Sequence, residues 1–143
     1  MTSLSFTPEA IESSLAARFE AVALAMPDQI AIVDGEDLLT YAALNRLANK
    51  LAHLMLALHG PTSEPVAFLI EHGMKQHVAM LAIAKAGKYY LPLDPNLPVE
   101  AMREMLAHAG APILITTDGY SEIAAALAAG QCEVLNLIRA GRR

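Results

Sequence analysis

The sequence predicts an open, mainly parallel, layered α/β sheet with flanking helices and a small N-terminal hairpin. Three observations indicate this fold class: segments with helical spacing of apolar residues alternate with short apolar runs, the connections are short, and residues 66–70 are apolar without alternation. Such strand–helix units form parallel sheets with right-handed crossovers. We expect residues 1–143 to form one domain, because a chain of this length buries roughly 70% of its unfolded surface.

The N-terminal part predicts a helix followed by the hairpin. Apolar residues recur at steps of four, three and four across residues 14–26, which is typical of an amphipathic helix. Two short apolar runs follow, at residues 30–33 and 38–40. Asp34 and Gly35 lie between these runs, and an Asp-Gly pair in this position favours a hairpin turn.

The strongest helical periodicity spans residues 41–58, where one face is apolar and the other polar. Thr40 is suited to be its N-cap, because a threonine hydroxyl can accept a hydrogen bond from a backbone N–H of the first turn. Gly60 and Pro61 end the helix, since glycine tolerates the left-handed cap and proline cannot continue a helix. Residues 66–70 follow as a central strand.

The second half repeats strands and helices. A helix over residues 74–86 is apolar on most sides and is expected to lie between other elements, with Gly87 as its cap. A strand over residues 89–93 leads into residues 92–98, where three prolines fix the backbone. We call this rigid turn the elbow. The elements predicted after the elbow are a helix over 98–108, a strand over 113–116, a helix over 121–129 and a strand over 133–137. We expect residues 139–143 to be a frayed tail.

The composition excludes several classes of protein. A net charge of -5 disfavours a nucleic-acid partner, because such proteins concentrate Lys and Arg. Apolar stretches such as residues 78–84 fall short of the ~20 residues of a membrane span. The N-terminus, with Glu9 and Glu12, does not resemble a secretory signal, so we expect a cytoplasmic protein. The only cysteine, Cys132, is interpreted as structural.

A search for catalytic and ligand-binding patterns assigns no catalytic, cofactor-binding or metal-binding residue. No two histidines form a helical metal motif with an acid between them, and no nucleophile elbow occurs. The histidines are His53, His59, His72, His77 and His108. Gly87 and Lys88 superficially resemble the end of a phosphate-binding loop, but Ala82 replaces its first glycine and Tyr89 replaces its metal-binding hydroxyl.

Two pairs of neighbouring residues are the best local candidates for ligand contacts. Glu71 and His72 follow a predicted strand, where α/β folds often place functional groups, although a solvated loop is the favoured interpretation. Tyr89 and Tyr90 could stack on a ligand. Adjacent strand residues face opposite sides, so at most one of the two can join a given pocket, and core packing is favoured for them.

Two stretches, taken together, resemble the first two core motifs of nonribosomal peptide synthetase adenylation domains. The first, Leu-Thr-Tyr-Ala-Ala-Leu at residues 39–44, is similar to the family's Leu-Thr-Tyr-x-Glu-Leu. The second, Lys-Ala-Gly-Lys-Tyr-Tyr-Leu-Pro-Leu-Asp-Pro at residues 85–95, resembles Lys-Ala-Gly-x-x-Tyr-[Val/Leu]-Pro-[Leu/Ile]-Asp-Pro. The resemblance covers residues 14–118. Ala43 departs from it by replacing the acid that would complete a capping box, and Ala101 replaces a common Arg.

The resemblance implies an N-terminal part of an adenylate-forming enzyme. Full-length members join a carboxylic acid to ATP, with Mg²⁺, to form an acyl-adenylate and pyrophosphate, and then pass the acyl group to the phosphopantetheine thiol of a carrier protein. The family's phosphate loop, substrate pocket and late catalytic lysine have no counterpart here, so residues 1–143 alone are expected to be inactive. Their expected partners are the remainder of the adenylation domain and the carrier protein.

Other interpretations stay open at this point. An acyl-CoA or aryl-CoA ligase shares the same motifs in part, with coenzyme A as the acceptor thiol. A freestanding, non-enzymatic α/β interaction module would keep the architecture and cover its strand edges and apolar face by dimerising or binding a partner. A small-cofactor-binding α/β module is the third alternative.

Overall fold

A computed structural model describes residues 7–137 of the chain. Its helices are α1 (Pro8–Glu12), α2 (Leu15–Ala25), α3 (Tyr41–His59), α4 (Met74–Lys85), α5 (Val99–Ala109) and α6 (Ser121–Ala128), and its strands are β1 (Ile30–Asp34), β2 (Asp37–Thr40), β3 (Pro65–Leu69), β4 (Tyr89–Pro92), β5 (Ile113–Thr116) and β6 (Glu133–Asn136). Strands β1 and β2 form an antiparallel hairpin, and the others form a parallel sheet in the order β4-β3-β5-β6. The predicted fold class is confirmed.

Both ends of α3 follow the caps that the sequence predicts, and Ser14 supplies a cap to α2 that was not predicted. The Ser14 hydroxyl accepts a hydrogen bond from the Ala17 N–H at 3.1 Å, and the Thr40 hydroxyl accepts one from the Ala43 N–H at 3.2 Å. Gly60 ends α3 with a φ of +68°, a backbone conformation that residues with a Cβ rarely adopt. Most predicted boundaries therefore agree with the structure within one or two residues.

Strand β3 lies inside the sheet, between β4 and β5, and all five of its residues are buried. Its side chains alternate between two cores, which explains why its sequence does not alternate. On one face Val66 and Phe68 pack with residues of α3 and α4, and on the other Ala67 and Leu69 pack with residues of α5 and α6. The sheet is thus covered on both faces, as a parallel sheet requires.

Helix α4 lies between other elements, as expected from its apolar surface. It packs on α3, α2 and the hairpin strand β1. Gly87 follows it with a φ of +72° and turns the chain into β4. In the elbow, the Asp94 carboxylate accepts a hydrogen bond from the Asn96 N–H at 2.9 Å. The chain then continues through Pro98 into α5.

Two short elements were not predicted. Helix α1 has five residues and is capped by the Thr7 hydroxyl, and a single 3-10 turn, Asp118–Tyr120, precedes α6. Both are too short for hydrophobic periodicity to reveal them. The predicted frayed tail, residues 139–143, lies outside the described residues.

Candidate functional site

The carboxyl ends of β3 and β5 are joined by hydroxyl groups of two successive threonines. The buried Thr116 hydroxyl donates to the Leu69 carbonyl at 2.9 Å, and the Thr117 hydroxyl donates to a Glu71 carboxylate oxygen at 2.5 Å. Glu71 is exposed, as the solvated-loop interpretation expects, but its carboxylate is not free. Its polar contact is therefore to the neighbouring strand end.

Gly119 allows the Glu71 carboxylate to approach the loop after β5. A Cβ at this position would overlap a Glu71 carboxylate oxygen. Next to it, the Asn136 side-chain amide donates to the Asp118 carboxylate at 2.8 Å, which links this loop to the end of β6. The carboxyl ends of three neighbouring strands are thus tied together by polar side chains.

His72 lines a polar cleft next to the hairpin, together with its neighbour Glu71. Its Nδ1 lies 3.3 Å from the Gln76 side-chain oxygen. The cleft has a volume of about 230 Å³ and is lined by Asp34, Asp37, Glu71, His72, Gly73, Met74 and Lys75. Within residues 7–137, no three side chains of His, Cys, Asp or Glu are grouped so that they could hold a metal ion.

Lys88, in the middle of the second motif, is buried and fully engaged. Its Nζ donates to the Gly60 carbonyl at 3.0 Å, the Thr62 carbonyl at 2.8 Å and a Glu64 carboxylate oxygen at 2.8 Å. An ammonium group has three protons, so these acceptors satisfy it completely. Lys88 therefore holds the loop between α3 and β3, and this role was missed because its acceptors lie 24 to 28 residues away.

The prediction that Tyr89 and Tyr90 pack in the core was wrong. Strand β4 is an edge strand, and the two residues are 56% and 43% exposed. Tyr90 nevertheless contacts the core, with its ring centroid 6.1 Å from that of Phe68. It also lines an apolar groove of about 300 Å³ between α2, α3, α4 and the hairpin, and Tyr89 is not part of that lining. Only one of the pair lines this groove, as expected for adjacent residues of a strand.

The second motif occupies a defined place in this fold. Its Lys-Ala-Gly part ends α4, its Tyr-Tyr-Leu-Pro part is β4, and its Asp-Pro part forms the elbow before α5. Residues 19–140 match the AMP-binding enzyme family. The chain belongs to this family. It is an N-terminal part of an adenylation domain, as the two motifs implied.

Among the relatives of this chain is a large peptide synthase. N-(5-amino-5-carboxypentanoyl)-L-cysteinyl-D-valine synthase of Amycolatopsis lactamdurans is 36% identical over 120 residues, which cover 83% of this chain and 3% of that protein. The chain therefore spans a small fraction of the curated relatives that it matches.

Solved structures of adenylating proteins have the same fold. The alpha-methyl-L-serine-AMP bound form of the nonribosomal peptide synthetase FmoA3 superimposes with a TM-score of 0.81 at 30% identity, covering 91% of this chain and 14% of that chain. The Klebsiella oxytoca NpsA N-terminal subdomain, in complex with 3-hydroxyanthranilyl-AMSN, gives a TM-score of 0.76 at 26% identity, covering 89% and 31%. Within residues 7–137, no helix is both long and apolar enough to cross a bilayer.

Proposed function

We propose that residues 1–143 form a single α/β unit of an adenylating enzyme that activates an amino acid as its acyl-adenylate. The enzyme would release pyrophosphate and pass the aminoacyl group to the phosphopantetheine thiol of a carrier protein. The observation that carries this proposal is the match of residues 19–140 to AMP-binding enzymes, with the second motif in place as the turn from α4 through β4 to the elbow.

The proposed role of this unit is to support the reaction site without touching the reacting atoms. Phosphoryl chemistry needs a glycine-rich loop, a cation and a metal-binding acid around the phosphates. Lys88 and Glu71, which have the charges needed to bind phosphate and metal, do not fit Mg-ATP because both are already engaged. All three protons of the Lys88 ammonium group are hydrogen-bonded to protein oxygens, and the Glu71 carboxylate accepts a hydrogen bond from Thr117. We therefore assign Mg-ATP and phosphopantetheine to other parts of the enzyme and derive no step through them.

The partners proposed for this unit follow from the same role. The remainder of the adenylation domain would complete the enzyme, and the carrier protein would receive the aminoacyl group. We propose no nucleic-acid or membrane partner, because a net charge of -5 opposes binding to anionic phosphate groups. We place the enzyme in the cytoplasm, which supplies ATP and amino acids.

The test is exchange of radiolabelled pyrophosphate into ATP by the complete polypeptide that carries residues 1–143, with each amino acid offered in turn. We expect exchange that depends on one amino acid or a small set of them, and none from residues 1–143 alone. Robust exchange by residues 1–143 would show that the catalytic groups lie within them. Formation of an acyl-CoA from a carboxylic acid, without amino-acid-dependent exchange, would favour the ligase alternative.

A further inference from the structure

Helix α2 is weakly packed on the rest of the fold. Of its eleven residues only Ala23, near the C-terminal end, is buried, whereas Leu15 at the N-terminal end is 71% exposed. The apolar groove of about 300 Å³ lies beside its N-terminal half, where Leu15 and Phe19 line one side and residues of α3, α4, β1 and β4 line the others. Because α2 removes few apolar side chains from water, separating it from the fold costs little free energy.

One side chain of α4, that of Lys85, binds the centre of α2. Its Nζ donates to a Glu20 carboxylate oxygen at 2.5 Å and lies 5.9 Å from the centroid of the Phe19 ring, a distance at which a cation is attracted to an aromatic face. The Lys85 side chain is 4% exposed, and within residues 7–137 its ammonium group has no other partner. Because α2 supplies both partners, separating it would expose this ammonium group to water, which can satisfy all three of its protons.

The segment that follows α2 is held firmly. Helix α2 ends at Met26, whose φ of -135° and ψ of 58° lie outside the helical region. Two backbone hydrogen bonds then tie the chain to the start of α3. The Pro27 carbonyl accepts one from the Ala42 N–H at 3.0 Å, and the Gln29 carbonyl accepts one from the Tyr41 N–H at 2.9 Å. The weakly packed helix therefore joins a fixed segment at Met26.

We propose that α2 is a hinged lid that turns about Met26 and uncovers the apolar groove, and that Lys85 holds this lid closed. In the closed state Lys85 binds Glu20 and Phe19, and in the open state the groove is exposed to water. The two lysines of the second family motif then have separate roles. Lys88 holds the loop before β3, and Lys85 holds α2.

Native-state hydrogen exchange on the complete polypeptide that carries residues 1–143 tests the lid. Mass spectrometry compares residues 19–25, whose amides are bonded within α2, with residues 48–58 inside α3. We expect the α2 amides to exchange at least about tenfold faster, at a rate that hardly changes in low urea, because a local opening exposes little new surface. Equal rates, or the same dependence on urea in both helices, would mean that α2 opens only with the whole fold and would overturn the proposal.

Two glutamate variants test Lys85 as the residue that holds the lid closed. Glu20→Ala removes its carboxylate partner and keeps a good helix former in α2, so the exchange of residues 19–25 should become about fivefold faster. The matched control is Glu100→Ala, which breaks the ion pair with Arg103 inside α5. Both glutamate side chains are exposed, so both variants keep the fold.

The control should leave the exchange of α2 unchanged, because opening the lid does not break the ion pair in α5. An unchanged rate in Glu20→Ala would contradict the role of Lys85. An equal acceleration of α2 exchange in both variants would show that α2 exchanges through unfolding of the whole domain, and the lid would then be rejected.

Discussion

The Asp34 carboxylate accepts a hydrogen bond from the backbone N–H of Met74 at 2.9 Å and so caps helix α4 from the tip of the hairpin. The N-cap residue of this helix is Gly73, which has no side chain to do so. Gly73 has a φ of +140°, and a Cβ there would overlap the Asp34 carboxylate. Gly73 thus leaves room for a cap supplied by Asp34, which lies 40 positions before Met74.

Removing this cap should destabilise the fold. We expect Asp34→Ala to lower the free energy of unfolding by about 1 kcal/mol, the usual loss when a helix cap is replaced by alanine. Asp34→Asn keeps a hydrogen-bond acceptor and should lose less. Urea denaturation followed by circular dichroism measures both variants. Equal losses for the two would show that the charge matters more than the hydrogen bond.

Two lysines on either side of Gly87 should differ in their contribution to stability. Lys88→Met leaves the Glu64 carboxylate and two loop carbonyls without their donor in a buried site, and we expect a loss of about 3 kcal/mol. Lys85→Met breaks the ion pair with Glu20, whose side chain is 56% exposed, and should cost about 1 kcal/mol or less. Thermal unfolding at matched protein concentration compares them. A larger loss for Lys85→Met would contradict the assigned role of Lys88.

The close approach of Gly119 to Glu71 should appear as energetic coupling. Gly119→Ala forces the Glu71 carboxylate away from the Thr117 hydroxyl, and we expect a loss of about 1.5 kcal/mol, typical of a hydrogen bond to a charged group. In a Glu71→Ala background the same substitution has nothing to displace and should cost less. A double-mutant cycle measures the difference. Strictly additive losses would show that the overlap is relieved without disturbing the strand ends.

The Cys132 thiol should react slowly with alkylating reagents at neutral pH. Cys132 packs against the core beneath α5 and α6, and burial raises the pKa of its thiol. Only the thiolate is nucleophilic, so iodoacetamide should label the folded chain more slowly than the urea-unfolded chain. Equal rates would show that the thiol is not shielded.

The same pKa shift predicts a pH dependence of stability. Because the pKa is raised on folding, the unfolded chain loses the thiol proton first, and stability falls as the pH rises above about 8.5. Below that pH the contribution of the neutral thiol is fully present. The difference in unfolding free energy between the native chain and Cys132→Ala should therefore shrink from neutral to alkaline pH. A constant difference would contradict this linkage.

Much of the fold could be predicted from local patterns. The Thr40 cap, the Gly60 end and the periodicity between them specify α3, because each acts within a few residues along the chain. The absence of alternation in β3 predicted its central place, since both of its faces are buried. The two family motifs indicated the enzyme class, and the family match agrees.

The candidate site could be predicted only in part. Glu71 was identified as a polar candidate because it follows a strand, but its partner Thr117 lies 46 residues away and could not be identified. The exposure of Tyr89 and Tyr90 was predicted wrongly, because nothing in a four-residue apolar strand states whether it will be an edge or a centre. The strand order β4-β3-β5-β6 decides that.

The sequence by itself determined the longer helices and the strands, most of their boundaries, and the family to which they belong, because caps, periodicity and motif residues act over one or two helical turns. Only the tertiary structure decided that Asp34 caps α4, that Lys88 holds the loop before β3, and that Tyr89 and Tyr90 lie on an edge strand. These contacts join residues far apart in the chain. They arise when crossovers bring the elements together, and no local preference specifies them.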